Sequence, residues 1–78
     1  MDTHNRLLEI FRGLEFDVDD ISDSTNLRDE LDIDSTEFAE IAVVIEREFL
    51  VMVDDAELLQ AKTFGELVKY VTSAPRAE

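Results

Sequence analysis

Apolar residues fall into three stretches with a helical period, separated by two stretches with none. Leu7, Ile10, Phe11 and Leu14 recur at i, i+3, i+4 and i+7, the stripe of a helix with one buried face. Asp2 or Thr3 can cap it and Gly13 lies near its end, so the spacing predicts a first helix over about residues 3–14. A second stripe, Phe38, Ile41, Ala42, Ile45 and Phe49, predicts a helix from about Ser35 to Phe49. Asp34, followed three residues on by Glu37, has the form of a capping box, with Asp34 as N-cap and Ser35 as the first helical residue. The third stripe, Phe64, Leu67, Val68 and Val71, follows a similar pattern at Thr63-Phe64-Gly65-Glu66.

The intervening stretches read differently. Residues 15–34 are rich in Asp, Ser, Thr and Asn and have no sustained period, which marks a loop anchored by Val18, Ile21, Leu27 and Leu31. A loop that long in a small domain tends to be functional or to hide a short helical turn. Leu50-Val51-Met52-Val53 looks extended and buried, yet a lone strand would have no partner. A short helical turn is expected around Ala56–Ala61, and Pro75 is expected to end the ordered chain, leaving 74–78 as a frayed tail. Phe38, Phe49, Met52 and Phe64 are assigned to the core and Tyr70 to its edge. The fold expected is all-α: a single domain over 1–78, ordered over about 3–73. Three longer amphipathic helices and one short one form a small four-helix bundle, with a long loop between helices 1 and 2.

Composition narrows what such a bundle can do. Seventy-eight residues make one small core. A core of that size supplies only roughly 3–5 kcal/mol of net stability, which leaves little room for a deep catalytic cleft. No stretch is apolar enough to span a bilayer and no leader is apparent, so a cytoplasmic protein is expected. The absence of cysteine excludes disulfides and thiolate metal sites. The net charge of −13 is unevenly spread: residues 15–57 hold sixteen acids against Arg28 and Arg47, while the flanking segments are near neutral. That field repels nucleic acid and anionic membrane and speeds encounter with basic protein surfaces, although acids on exposed faces also serve solubility. A monomer that neither binds nucleic acid nor inserts into membranes is expected.

Catalytic and metal chemistry find little support. His4 is the only histidine and sits near a terminus, where a solvated side chain is expected. The carboxylates could pair, but nothing builds a pocket around them, so no catalytic residue is assigned. Asp17, Asp19 and Asp20, or Asp32 and Asp34, superficially suggest a calcium loop. Neither window has the glycine at its sixth position or the glutamate at its twelfth, where Arg28 and Val43 fall, so no metal site is assigned.

Ser35 is the remaining candidate. Serine is favoured at helix starts for capping alone, so the residue type leaves a structural and a functional reading open. Asp34 can perform the capping, however, which leaves the Ser35 hydroxyl without a structural task. An anion attached there would sit at the positive end of the helix, although Asp32, Asp34 and Glu37 oppose it.

The chain resembles an acyl carrier protein of the phosphopantetheine-binding carrier family. The resemblance is carried by the neutral first helix, Thr25-Asn26-Leu27 in the acidic loop, and Asp34-Ser35. It continues through Glu46-Arg47-Glu48-Phe49 at the end of helix 2 and Thr63-Phe64-Gly65-Glu66-Leu67 opening the last helix. It implies that Ser35 carries 4′-phosphopantetheine, installed from coenzyme A by a phosphopantetheinyl transferase, with the arm's thiol holding acyl groups as thioesters. It also implies that helix 2 docks acyl-transferring, ligase or synthase enzymes with basic surfaces, through Asp34, Thr36, Glu37, Glu40, Val43 and Arg47. Asp32, Thr36, Arg47, Leu50 and Asp54 depart from the family's usual residues, which favours a dedicated lipid, polyketide or peptide pathway over the main fatty-acid carrier. An aminoacyl or peptidyl carrier is the nearest alternative; an acidic module mimicking nucleic acid, or a divalent-metal sensor, stands further off. If cargo enters the bundle, Phe38, Ile41, Ile45 and Leu67 are the candidate lining residues.

Overall fold

In the computed structural model, which describes residues 2–77, four helices follow in order: α1 (Thr3–Gly13), α2 (Ser35–Phe49), α3 (Asp55–Leu58) and α4 (Phe64–Ser73). A single 3-10 turn, Val18–Asp20, lies in the long loop between α1 and α2. The three expected stripes are the buried faces: Leu7 and Phe11 of α1, Phe38, Ile41, Ala42 and Ile45 of α2, and Phe64, Leu67 and Val71 of α4. α1 packs on α2 and α4, and α3 packs on α2.

Each helix begins where an oxygen-bearing side chain satisfies an otherwise unpaired backbone N–H. Asp2 accepts from the Asn5 N–H at 2.7 Å, Asp54 from the Ala56 and Glu57 N–H groups, and Thr63 from the Glu66 N–H at 3.2 Å. The box at Thr63 is only half formed, because Glu66 Oε1 accepts from the Lys62 N–H rather than from that of Thr63. The short helix starts at Asp55 rather than Ala56 because Asp54 caps it.

α1 ends one residue earlier than expected, in a Schellman motif. The Phe16 N–H reaches the Phe11 carbonyl and the Glu15 N–H that of Arg12, while the Phe11 and Phe16 rings pack 5.4 Å apart. The left-handed residue in this turn is Glu15, with φ 72°, so the nearby glycine is not the one that reverses the chain.

The long loop is tied down at its centre. Thr25 is buried: its hydroxyl accepts from the Ser22 N–H at 2.8 Å and its carbonyl accepts from the Phe64 N–H at 3.0 Å. Leu27 is fully buried and its N–H donates to the Lys62 carbonyl at 2.9 Å. The Gly65 N–H donates to the Asp23 carbonyl at 2.9 Å, and a Cβ at Gly65 would stand 2.9 Å from that same oxygen. Glycine is required there because the loop backbone lies against the start of α4.

Three expectations are corrected. Residues 50–53 are not uniformly buried: Val51 points inward, whereas Leu50 and Met52 are 59% and 58% exposed, so Met52 is not a core residue. An extended segment sends alternate side chains to opposite sides, and only one side of this one faces the bundle. The segment does have a partner, which is the tail. The Met52 N–H donates to the Pro75 carbonyl at 2.8 Å and the Ala77 N–H to the Leu50 carbonyl at 2.9 Å, with Val51 bridged to Arg76. Residues 75–77 are therefore paired rather than frayed; Glu78 lies outside the described residues. Finally, His4 is not simply solvated. Its half-buried ring meets the Phe64 ring edge to face at 5.3 Å, and its Nε2 lies 3.4 Å from an Asp23 carboxylate oxygen.

Candidate functional site

The approach to α2 is built from Asp32-Ile33-Asp34-Ser35. Asp32 adopts the left-handed conformation, φ 60°, which turns the chain so that Ile33 enters the core. The Ile33 N–H donates to the Leu27 carbonyl at 3.2 Å. Asp34 is the N-cap: its Oδ1 accepts from the Glu37 N–H at 2.9 Å, and Glu37 Oε1 accepts in return from the Asp34 N–H at 3.4 Å. Both arms of the capping box are closed without Ser35. Ser35 is exposed on the first turn, and among the described residues its hydroxyl has no hydrogen-bond partner. A nucleophilic oxygen is thus presented to solvent from a rigid helix end. The unpaired backbone N–H groups of that end favour an attached phosphate, so the residues present fit a covalently bound phosphate-linked group.

The other candidates fall into two kinds. Thr36, Glu40, Val43 and Arg47 are all exposed and recur at i, i+4, i+7 and i+11, one continuous outer face of α2. Val43 is 51% exposed, an apolar residue in the middle of that face. Asp34 and Glu37 stand beside Ser35, but both also hold the capping box, and Glu37 is half-buried. The face changes character along its length, from acids near Ser35 to Arg47 at the far end, and the exposed Leu50 continues the same spacing beyond the helix.

Phe38, Ile41, Ile45 and Leu67, the candidate cargo linings, are packed in the core. None of them lines either of two surface clefts. One, of about 780 Å³, lies between residues 52–54, α3 and α4, and includes Met52, Asp54, Glu57, Lys69 and Tyr70. The Tyr70 hydroxyl accepts from the Asp54 N–H at 3.0 Å and donates to Glu57 at 3.3 Å. Burial raises the Tyr70 pKa above 10.0, the neighbouring Glu57 charge adds to the rise, and the Asp54 N–H opposes it. The second cleft, of about 440 Å³, runs between α1 and α2 past Ile10, Leu14 and Val44. Among the described residues, no group of three or more His, Asp or Glu side chains converges to hold a metal ion.

Two features of the site escaped the sequence reading. Ile33 is the residue before an N-cap, and with Phe38 it occupies the two positions of a hydrophobic staple, a signal that was available. Arg28, read only as a charge in an acidic stretch, reaches across to α3 and donates to the Leu59 carbonyl at 3.0 Å. No local pattern announces that contact, because its partner is 31 residues away.

Proteins similar to this chain are known. Residues 5–71 match the family model described as a phosphopantetheine attachment site. An acyl carrier protein of Lactobacillus acidophilus is 37% identical over 61 residues, covering 78% of this chain and 76% of the relative. One from Thermotoga maritima is 34% identical over 62 residues, covering 80% and 76%. A solved structure of the acyl carrier protein from Enterococcus faecalis superposes with a TM-score of 0.77 at 24% identity, over 95% of this chain and 99% of that one, a likeness of fold.

Proposed function

From the premise that this chain belongs to the phosphopantetheine attachment-site family, among its acyl carrier proteins, we propose that Ser35 is the residue that bears the cofactor. The protein is a carrier rather than an enzyme, and its cofactor is covalently attached 4′-phosphopantetheine, whose terminal thiol supplies the thioester bond to cargo. Family membership also implies a phosphopantetheinyl transferase and acyl-handling enzymes as partners. Among the described residues, no helix is long and apolar enough to cross a membrane.

The observation that carries the Ser35 assignment is its exposed, unpartnered hydroxyl on a helix end whose cap is provided entirely by Asp34 and Glu37. In the loading step Ser35 Oγ forms a bond to phosphorus as the pyrophosphate linkage of coenzyme A breaks. The hydroxyl proton is given up to the transferase and the adenosine bisphosphate leaves. The outer face of α2 is the docking surface in this reading. Asp34, Glu37 and Glu40 meet basic partner residues near Ser35, Thr36 and Val43 make close contact, and Arg47 sets the far end apart. Steering by charge followed by a small contact suits partners that must bind and release quickly. The basic residue at 47 and the leucine at 50 support service in a dedicated pathway, with enzymes shaped to this face.

Intact mass after incubation with coenzyme A and a broad-specificity transferase tests the assignment. One phosphopantetheine should be added to the wild type and none to Ser35→Ala. Glu40→Lys should load several-fold more slowly with its melting temperature kept. Absence of any addition across several transferases, or undiminished addition to Ser35→Ala, would overturn the reading.

A further inference from the structure

Arg28 is the only cation between residues 15 and 46, a stretch that also holds twelve carboxylates. Yet among the described residues no carboxylate oxygen lies within 4.0 Å of its guanidinium; the two side-chain ion pairs are His4–Asp23 and Arg12–Glu9. Three acids that follow it, Glu30, Asp34 and Glu37, are directed to backbone instead. Glu30 Oε2 accepts from the Asn26 N–H at 2.7 Å, and Asp34 and Glu37 close the capping box.

The position of Arg28 is fixed from both sides. Its own N–H donates to Asn26 Oδ1 at 3.0 Å, and the preceding Leu27 is fully buried. One guanidinium nitrogen donates to the Leu59 carbonyl at 3.0 Å, just beyond the end of α3, and its central carbon lies 5.8 Å from the centre of the Phe38 ring. Phe38 is buried one turn after Ser35 on α2, and residues three apart on a helix are surface neighbours. The guanidinium therefore spans the seam between α2 and α3, its α2 neighbour Phe38 lying one turn along from Ser35. It uses one of five N–H donors on a carbonyl, which leaves a planar fork suited to an oxyanion.

We propose that Arg28 is an oxyanion-binding residue for the group attached at Ser35, an inference that rests on the Ser35 assignment. Its ligand is an oxyanion that arrives with the modification: the phosphodiester of the arm, or a carboxylate carried on the cargo. Either one brings negative charge to a site already crowded by Asp32, Asp34 and Glu37, and Arg28 is the one cation that residues 15–46 supply to receive it. A bidentate charge-assisted pair there would draw the arm against the α2–α3 seam.

Nitrogen-15 spectra of the Arg28 Nε–H group test this, with the resonance assigned by its loss in Arg28→Lys. Three loaded forms are compared with the unloaded protein: arm alone, butyryl arm and succinyl arm, each verified by intact mass. A resonance that moves by several linewidths in all three forms assigns the phosphodiester as ligand; movement with the succinyl arm alone assigns a cargo carboxylate. A resonance unmoved in all three fully loaded forms overturns the proposal and leaves the Ser35 assignment standing. Failure to gain mass removes both. The purely structural tie to Leu59 is present before loading, so it would not produce a loading-dependent shift.

Discussion

Leu50 combines two unfavourable features: a left-handed backbone, φ 56°, and a leucine side chain 59% exposed. For an L-residue the left-handed conformation costs roughly 1–2 kcal/mol because Cβ crowds the following carbonyl. Glycine avoids that crowding but loses roughly 0.5–1 kcal/mol more backbone entropy on folding. Little packing is lost with a side chain this exposed, and the Leu50 carbonyl that accepts from the Ala77 N–H is backbone and survives substitution. Leu50→Gly should therefore stabilise the fold by about 0.5–1 kcal/mol, the strain relieved less the entropy lost. In a domain of this size that raises the melting temperature by about 2–8 °C. Leu50→Ala is the control. It removes nearly the same side chain but keeps Cβ, so it should stay within about 0.5 kcal/mol of wild type. The assay is urea unfolding of all three proteins, with an unchanged slope showing that the surface exposed on unfolding is the same. If the glycine variant is no more stable than the alanine variant, backbone strain at residue 50 is not what the side chain imposes.

Two further predictions follow from charge. Among the described residues only His4–Asp23 and Arg12–Glu9 form side-chain ion pairs, which leaves most of the sixteen acids of residues 15–57 opposed only by one another. Sodium chloride should accordingly raise the melting temperature by screening, as should magnesium; a flat response would show that the repulsion is already dispersed. Tyr70, the single tyrosine, has its pKa raised above 10.0 in the fold, so the folded state holds the phenolic proton to higher pH than the unfolded chain does. Its contribution to stability is complete below pH 10 and is lost as pH rises from there through the folded pKa. The urea midpoint should fall across that interval, and Tyr70→Phe should fall less steeply; equal slopes would refute the assignment.

How legible each part was depends on the range over which it is determined. The three stripes and the Asp34–Glu37 box are set by residues within one or two turns of one another, and the helices they predict are the helices found. Leu50, Val51 and Met52 were harder, because a short apolar run does not say which side faces the core. Period two would have halved the run, but only the bundle decides that Val51 is the inner residue. The tail pairs through backbone N–H and carbonyl groups, which every residue from 75 to 77 has in some measure whatever its side chain, so nothing in Pro75-Arg76-Ala77 marked the pairing. The ring contact of His4, expected only as a solvated side chain, and the reach of Arg28 have no local signal, because their partners, Phe64 and Leu59, lie far along the chain.

Local patterns along the chain suffice to specify an acidic helical bundle in which one serine opens α2, with the capping done by the aspartate before it. Those properties arise from local hydrogen bonding and helical spacing, which neighbouring residues specify on their own. Only the folded chain shows how the rest is arranged: a loop locked by Thr25, Leu27 and Gly65, an outer face of α2 that runs from acids to Arg47, and Arg28 laid across the α2–α3 seam. Contacts of that kind join residues tens of positions apart, and they exist only once the burial of the three stripes has brought the elements together.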